Sequence, residues 1–197
     1  MNQKPKLIYT QEEMIKLNKE TLLARGVKLE QIALIAYDQQ SKYTKDIPFQ
    51  LCLDSVEKII SYRDVFHYIQ LGTEIDRLAE EHQFRGPIQD ILDYDLGLFG
   101  ADETFGLDIA RNYGTIGQTN FGDIDVNKPG IVNELNEIGK LSGHCHTFLD
   151  DIVGAIAAAA STRVAQIINE TIALENLDNV LKYDIFDLLK KSKATKK

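Results

Sequence analysis

The stretch His144-Cys-His-Thr-Phe-Leu-Asp150-Asp151-Ile-Val-Gly-Ala-Ile-Ala-Ala-Ala-Ala160-Ser161 decides the fold. From Ile152 to Ala160 every residue is small or apolar, so a helix here has no polar face to turn to water and must be wrapped by other helices. Two adjacent carboxylates open this segment. A lone buried carboxylate costs several kcal/mol or takes up a proton unless something pairs with it. The pair therefore points to a bound cation or to basic side chains around it. The ordinary alternative is that both acids complement the positive end of the helix dipole. Adjacent helical residues point about 100° apart, so the two would reach different partners.

Working outward, helical periodicity continues almost throughout. Thr10 and Glu13 form a capping box ahead of Met14, Leu17, Leu22 and Leu23, and Gly26 ends that helix. A second helix carries Leu29, Ile32, Ala33, Ile35 and Ala36, and a third follows Pro48. Ser61 with Asp64 is read as the cap of a longer one through Leu78. The same spacing recurs at Ile88 to Leu92, near Leu107 to Tyr113, from Ile131 to Leu141, from Phe148 to about Ile168 and from Ile172 to Leu189. No stretch alternates as a strand does. The expected fold is an all-α helical bundle, with the Ala-rich helix of about Phe148 to Ile168 at its centre. A single domain over residues 1–197 is expected, with flexible ends at 1–9 and 190–197. The segment from Tyr94 to Pro129, dense in glycine and acids, reads as the least regular part, where the remainder of a site would lie on loops.

Bulk composition narrows the function. A net charge of −8 argues against nucleic acid, since phosphate backbones are bound by basic surface. The acidity is uneven, because the last eight residues, KKSKATKK, carry five lysines. These read as a solvated end, or as a polybasic contact to anionic lipid. Cys52 and Cys145, the two cysteines, form no disulfide framework, which suits a reducing, cytoplasmic compartment. The longest candidate membrane span, Phe148 to Ala160, is too short and opens on two aspartates, so the chain is read as not crossing a bilayer. There is no GxxxxGK[ST], GxGxxG or GxSxG. His144-Cys145-His146 lacks a second ligand cluster for a structural zinc, and His146 is read as a peripheral ligand or acid. Gly72-Thr73-Glu74-Ile75-Asp76 interrupts a helix; a packing contact explains the glycine, while Glu74 or Asp76 could face the site.

Two further motifs complete the constellation. Asp102-Glu103-Thr104-Phe105-Gly106 is a second acidic pair in the glycine-rich region, and carboxylate oxygens converging on one point suit a hard cation such as Mg²⁺. Asn120-Phe-Gly-Asp-Ile-Asp125-Val-Asn-Lys128-Pro129-Gly130-Ile131 places a lysine beside an expected helix start at Pro129, which suits a phosphate or else is a capped turn. Together, DExxG at Asp102 to Gly106, DxxKPxI at Asp125 to Ile131 and FLDDIVGA at Phe148 to Ala155 resemble the phosphatidylglycerophosphatase A family, in its soluble, YutG-like branch. The resemblance runs from about Leu71 to Val164. It implies a Mg²⁺-dependent phosphatase, with Mn²⁺ as a substitute, that converts phosphatidylglycerophosphate to phosphatidylglycerol in phospholipid biosynthesis. By position it implies Asp102, Glu103, Asp150 and Asp151 as catalytic and metal-binding residues, with Glu74, Asp76 and His146 as further candidates for the metal. Lys128, Asp125 and Asn120 are then the expected substrate-binding residues. Two other classes stay open: a phosphohydrolase for another small-molecule or nucleotide phosphate, and a non-catalytic metal- or ligand-binding helical protein. A cytoplasmic location with peripheral membrane contact through the amphipathic stripe at Leu174, Leu177, Leu181, Ile185, Leu188 and Leu189, and a homodimer or higher homo-oligomer, complete the expectations.

Overall fold

The computed structural model describes residues 9–141 and 143–194, with side chains described as far as residue 176. Among these residues there are helices and turns and no strand. In chain order the helices are α1 (Gln11–Ala24), α2 (Leu29–Ser41), α3 (Phe49–Ile60), α4 (Arg63–Glu80), α5 (Pro87–Asp93), α6 (Ala101–Ala110), α7 (Gly114–Asn127), α8 (Ile131–Gly139) and α9 (Leu149–Ala194). A short 3-10 turn, Arg111–Tyr113, joins α6 to α7. The chain divides into two compact units, Met1–Arg163 and Val164–Lys197. Every residue named above as a site candidate lies in the first.

The all-α bundle is present, and its centre is the Ala-rich helix. From Leu149 to Thr162 every side chain of α9 is buried. Helices from four sides supply its surroundings. Gln40 of α2 donates to Ser161 Oγ (2.8 Å) and Arg163 donates to Ser55 Oγ of α3 (2.9 Å). Asn120 of α7 donates to Thr162 Oγ1 (2.9 Å). Gly72 of α4 lies flat against Phe148 and Ile152, where an added Cβ would collide with the Ile152 side chain. That close approach is the packing reason for a glycine in the middle of α4.

Local signals agree with the helix ends in part. Thr10 and Glu13 make the reciprocal capping box, and Gly26, at φ +82°, closes α1. Ser61 does not cap α4. Its hydroxyl donates back to Lys58 O (2.7 Å) at the end of α3, and Tyr62 stands at the α4 N-cap. Pro129 likewise precedes α8, whose N-cap is Gly130. The largest departure is the glycine-rich segment, which is helical over most of its length in α6 and α7. Two of its glycines serve helix contact: a Cβ on Gly106 would strike the Phe121 ring, and one on Gly117 the Ala110 carbonyl. Close packing has overridden the low helix propensity of glycine.

The two expected C-terminal helices are one continuous helix, α9, running past the expected end at Leu189 to Ala194. Its stretch Leu149–Asn176 is long and apolar enough to cross a membrane by length and composition, which corrects the shorter span read from Phe148 to Ala160; 72% of its most apolar window is buried inside the protein. In the second unit the described side chains from 169 to 176 are exposed, Ile172 and Leu174 included. The rest of the amphipathic stripe, from Leu177, lies outside the described side chains. Of the expected flexible ends, 1–8 and 195–197 lie outside the described residues.

Candidate metal centre

Both acidic pairs stand at the same place in their helices. Asp102 and Glu103 are the second and third residues of α6, and Asp150 and Asp151 are the second and third of α9. In each pair the first aspartate turns one oxygen back onto the next backbone N–H. Asp102 Oδ1 accepts from Glu103 N (3.0 Å), and Asp150 Oδ1 accepts from Asp151 N (2.9 Å).

The structure brings three of the four together. Asp102, Glu103 and Asp151 each offer a carboxylate oxygen within 4.8 Å of the other two. Asp102 and Asp151 are buried, Glu103 is half-buried, and Glu103 Oε2 is a buried oxygen with no hydrogen-bond partner among the described residues. Buried polar atoms without partners are rare, and each calls for an explanation. Burial pushes the Asp151 carboxyl well above the usual range, and the charge of Asp150 beside it adds to the effect. Burial likewise raises Asp102, together with the Glu103 carboxylate beside it. Three oxygen donors, one orphaned and two reluctant to ionise without a counter-charge, fit a hard divalent cation that completes its shell with water.

Asp150 is drawn elsewhere. Its Oδ2 accepts from Lys128 Nζ (3.0 Å), and the same ammonium donates to Asp125 Oδ1 (2.9 Å) and lies 3.6 Å from Asp151 Oδ1. Burial lifts the Asp150 carboxyl to about 6 against the opposing pull of Lys128. Burial would lower the lysine, but the carboxylates of Asp150, Asp125 and Asp151 together hold it above its ordinary value. Lys128 and Asp125 are thus at the site, the lysine against carboxylates.

The remaining expected residues are placed away from the triad. Asn120 uses its amide on Thr162, about 16 Å along α9 from Asp151 at 1.5 Å per residue, so it staples two helices. Glu74 is exposed and pairs with Arg77 (2.7 Å), because it lies on the solvent side of α4. His146 lies ahead of α9, its carbonyl accepting from Asp150 N (3.1 Å); its Nδ1 donates to Leu135 O (2.9 Å), and burial lowers its pKa.

Asp76 is fully buried, and both its oxygens are taken by backbone. Oδ1 accepts from Phe148 N (3.1 Å) and Oδ2 from Leu149 N (3.0 Å), so it caps α9 from across the bundle. Burial raises its carboxyl to about 7, the two N–H donors and Arg25 opposing. A strap reinforces this end. Arg25 makes a fork to Glu80 (2.9 and 2.8 Å) and donates to Cys145 O (2.7 Å), while Glu80 Oε1 accepts from Cys145 N (3.0 Å). The reading from sequence missed Arg25, Glu80 and the capping role of Asp76. A signal for the last existed: Asp76 is one helical turn from Gly72, on the face whose close approach the glycine announces. Asp95, in the turn after α5, contributes negative charge felt by Asp150 and was likewise not assigned.

An all-α bundle whose central helix brings an acidic pair to a second acidic pair, with a lysine between acids, defines a class of carboxylate-centred helical proteins. The model of phosphatidylglycerophosphatase A matches residues 44–166. The chain belongs to the phosphatidylglycerophosphatase A family. Among its relatives are two uncharacterized proteins of Bacillus subtilis (strain 168). YpjQ is 43% identical over 157 residues, covering 80% of this chain and 87% of YpjQ, and YutG is 45% identical over 141 residues, covering 72% and 84%. The crystal structure of YpjQ superposes with a TM-score of 0.78 at 41% identity, covering 83% of this chain and 99% of that one. The low temperature requirement C protein from Listeria monocytogenes gives 0.77 at 39% identity, covering 81% and 99%. A protein of unknown function from Bacillus stearothermophilus gives 0.74 at 46%, covering 78% and 94%.

Proposed function

We propose that this protein is a Mg²⁺-dependent phosphomonoesterase that removes the terminal phosphate of phosphatidylglycerophosphate. Family membership supports the phosphatase class. The observation that carries the metal is the triad of Asp102, Glu103 and Asp151 with its orphaned oxygen. Bound there, Mg²⁺ supplies charge neutralisation at a phosphate oxygen and lowers the pKa of a coordinated water. The chain's own residues do the rest. The first turns of α6 and α9 aim the positive ends of two helix dipoles at the same place, which favours an anionic phosphate. Lys128 adds a fixed positive charge beside the triad, and Asp76 with the Arg25–Glu80 strap holds the start of α9 in register.

A second substrate class has its own support. The net charge of −8 is unfavourable at an anionic bilayer, which favours a soluble phosphate ester. A phosphatase panel with and without Mg²⁺, spanning phosphatidylglycerophosphate in mixed micelles and soluble sugar and nucleotide phosphates, tests both. Mg²⁺-dependent release from the lipid above all others is the expected result. Release from a soluble ester alone moves the assignment to that ester, and no release from any leaves a metal-binding protein without this activity.

A further inference from the structure

Resting on the metal reading of the triad, we infer that Lys128 permanently fills a second cation position, so that the centre takes one divalent ion where a paired-metal site would take two. The geometry around the ammonium is that of a cation among ligands. Three carboxylates from two helices surround Nζ: Asp125 of α7 at 2.9 Å, and Asp150 and Asp151 of α9 at 3.0 and 3.6 Å. Asp151 belongs to both groups: its Oδ1 is 3.6 Å from Lys128 Nζ, and its carboxylate lies within 4.8 Å of those of Asp102 and Glu103. Two-metal hydrolases hold their ions about 3.5–4 Å apart, commonly across a shared carboxylate; here the carboxylate is shared between the triad and an ammonium.

Two further features keep the lysine there. Asp150 has one oxygen on the Asp151 backbone N–H and the other on Lys128, so it is committed to this position. The Lys128 backbone is left-handed, at φ +42°, a conformation uncommon for residues other than glycine. It is held by its own N–H on Ile124 O at 2.7 Å and followed by Pro129. The chain thus turns sharply out of α7 at the residue whose side chain enters the acids, and only about a quarter of that side chain is exposed.

The consequence is a stoichiometry. Titration of the full-length protein with Mn²⁺ alone, followed by calorimetry and by electron paramagnetic resonance, counts the ions without reference to activity. The wild type is expected to bind one Mn²⁺ with the six-line signal of an isolated ion. Lys128→Met is expected to bind two, with the broadened signal of a coupled pair, while Lys128→Arg keeps the count at one. Removing the lysine leaves three acids facing one another, so Lys128→Met is also refolded in Mn²⁺, desalted and assayed for bound metal. Two ions in the wild type overturn the inference, as does a single ion in refolded Lys128→Met. No ion in the wild type is a different result: it removes the metal reading itself.

Discussion

The two acidic pairs make a natural comparison, because local sequence treats them alike. Both occupy the second and third positions of a helix, and both fold the first aspartate back onto the following N–H. They part company in their neighbours. Among the described residues Asp102 has no cation beside it and joins the triad, whereas Asp150 meets Lys128 and leaves it. The second members, Glu103 and Asp151, come from helices far apart in the chain and face each other. The lesson is that helix position decides how an acid presents its oxygens, while a tertiary neighbour decides whether those oxygens remain free for an ion.

The comparison breaks most visibly at Asp151, which serves both groups. Asp151→Asn is expected to abolish any Mg²⁺-dependent rise in melting temperature and to lower phosphatase activity by more than about 100-fold, beyond the 10–100-fold typical of supporting partners around a metal. Asp150→Asn is expected to fall inside that range, at about 10–100-fold, and to retain the metal-dependent rise. Equal loss of metal binding in the two variants would erase the distinction between them.

The next effect is on stability against pH, measured by urea midpoints in EDTA. Asp76 and Asp150 hold carboxyls raised to about 7 and about 6 when folded, against about 3.9 in an unfolded chain. The native state therefore keeps protons that the unfolded state has released, and their stabilising contribution is complete below pH 4 and lost as pH rises to about 7. The midpoint should fall across that window. Asp150→Asn should flatten its lower part, up to pH 6, and leave the Asp76 portion. A fall between pH 4 and 6 as steep in Asp150→Asn as in the wild type would contradict the raised value at Asp150. The smallest effect belongs to Asn120→Ala. Loss of its bond to Thr162 should cost about 1 kcal/mol of stability and leave KM unchanged, where a substrate-binding residue would raise it.

How far the sequence could be read follows from the same physics. The central helix was legible because nine consecutive apolar residues admit one environment, and α1 was legible because its capping box and Gly26 act within a few residues. The triad was legible as two acidic pairs, since burial of charge demands a partner. What could not be read depends on contacts between distant segments. Glycines 106 and 117 look like loop residues until Phe121 and the Ala110 carbonyl are seen against them. Asn120 sits in a motif with Asp125 and Lys128, yet a helix turns its side chain towards Thr162. Nothing in the neighbourhood of Ser61 shows that its hydroxyl will close the preceding helix instead of opening the next.

The strap of Arg25, Glu80 and Cys145 also makes the site depend on the far end of the chain. It ties the end of α1 and the end of α4 to Cys145, four residues ahead of α9, closing separations of 55 and 120 residues. Contacts of such long range come at a high loop-closure entropy and form after local helices have appeared. Asp76 can seat the first turn of α9 only once α4 is in place. The carboxylates are consequently held by contacts between segments distant in sequence, and neither α6 nor α9 taken alone possesses a site. Loosening α1, which contributes no carboxylate to the triad, is a route by which the finished protein would lose it again.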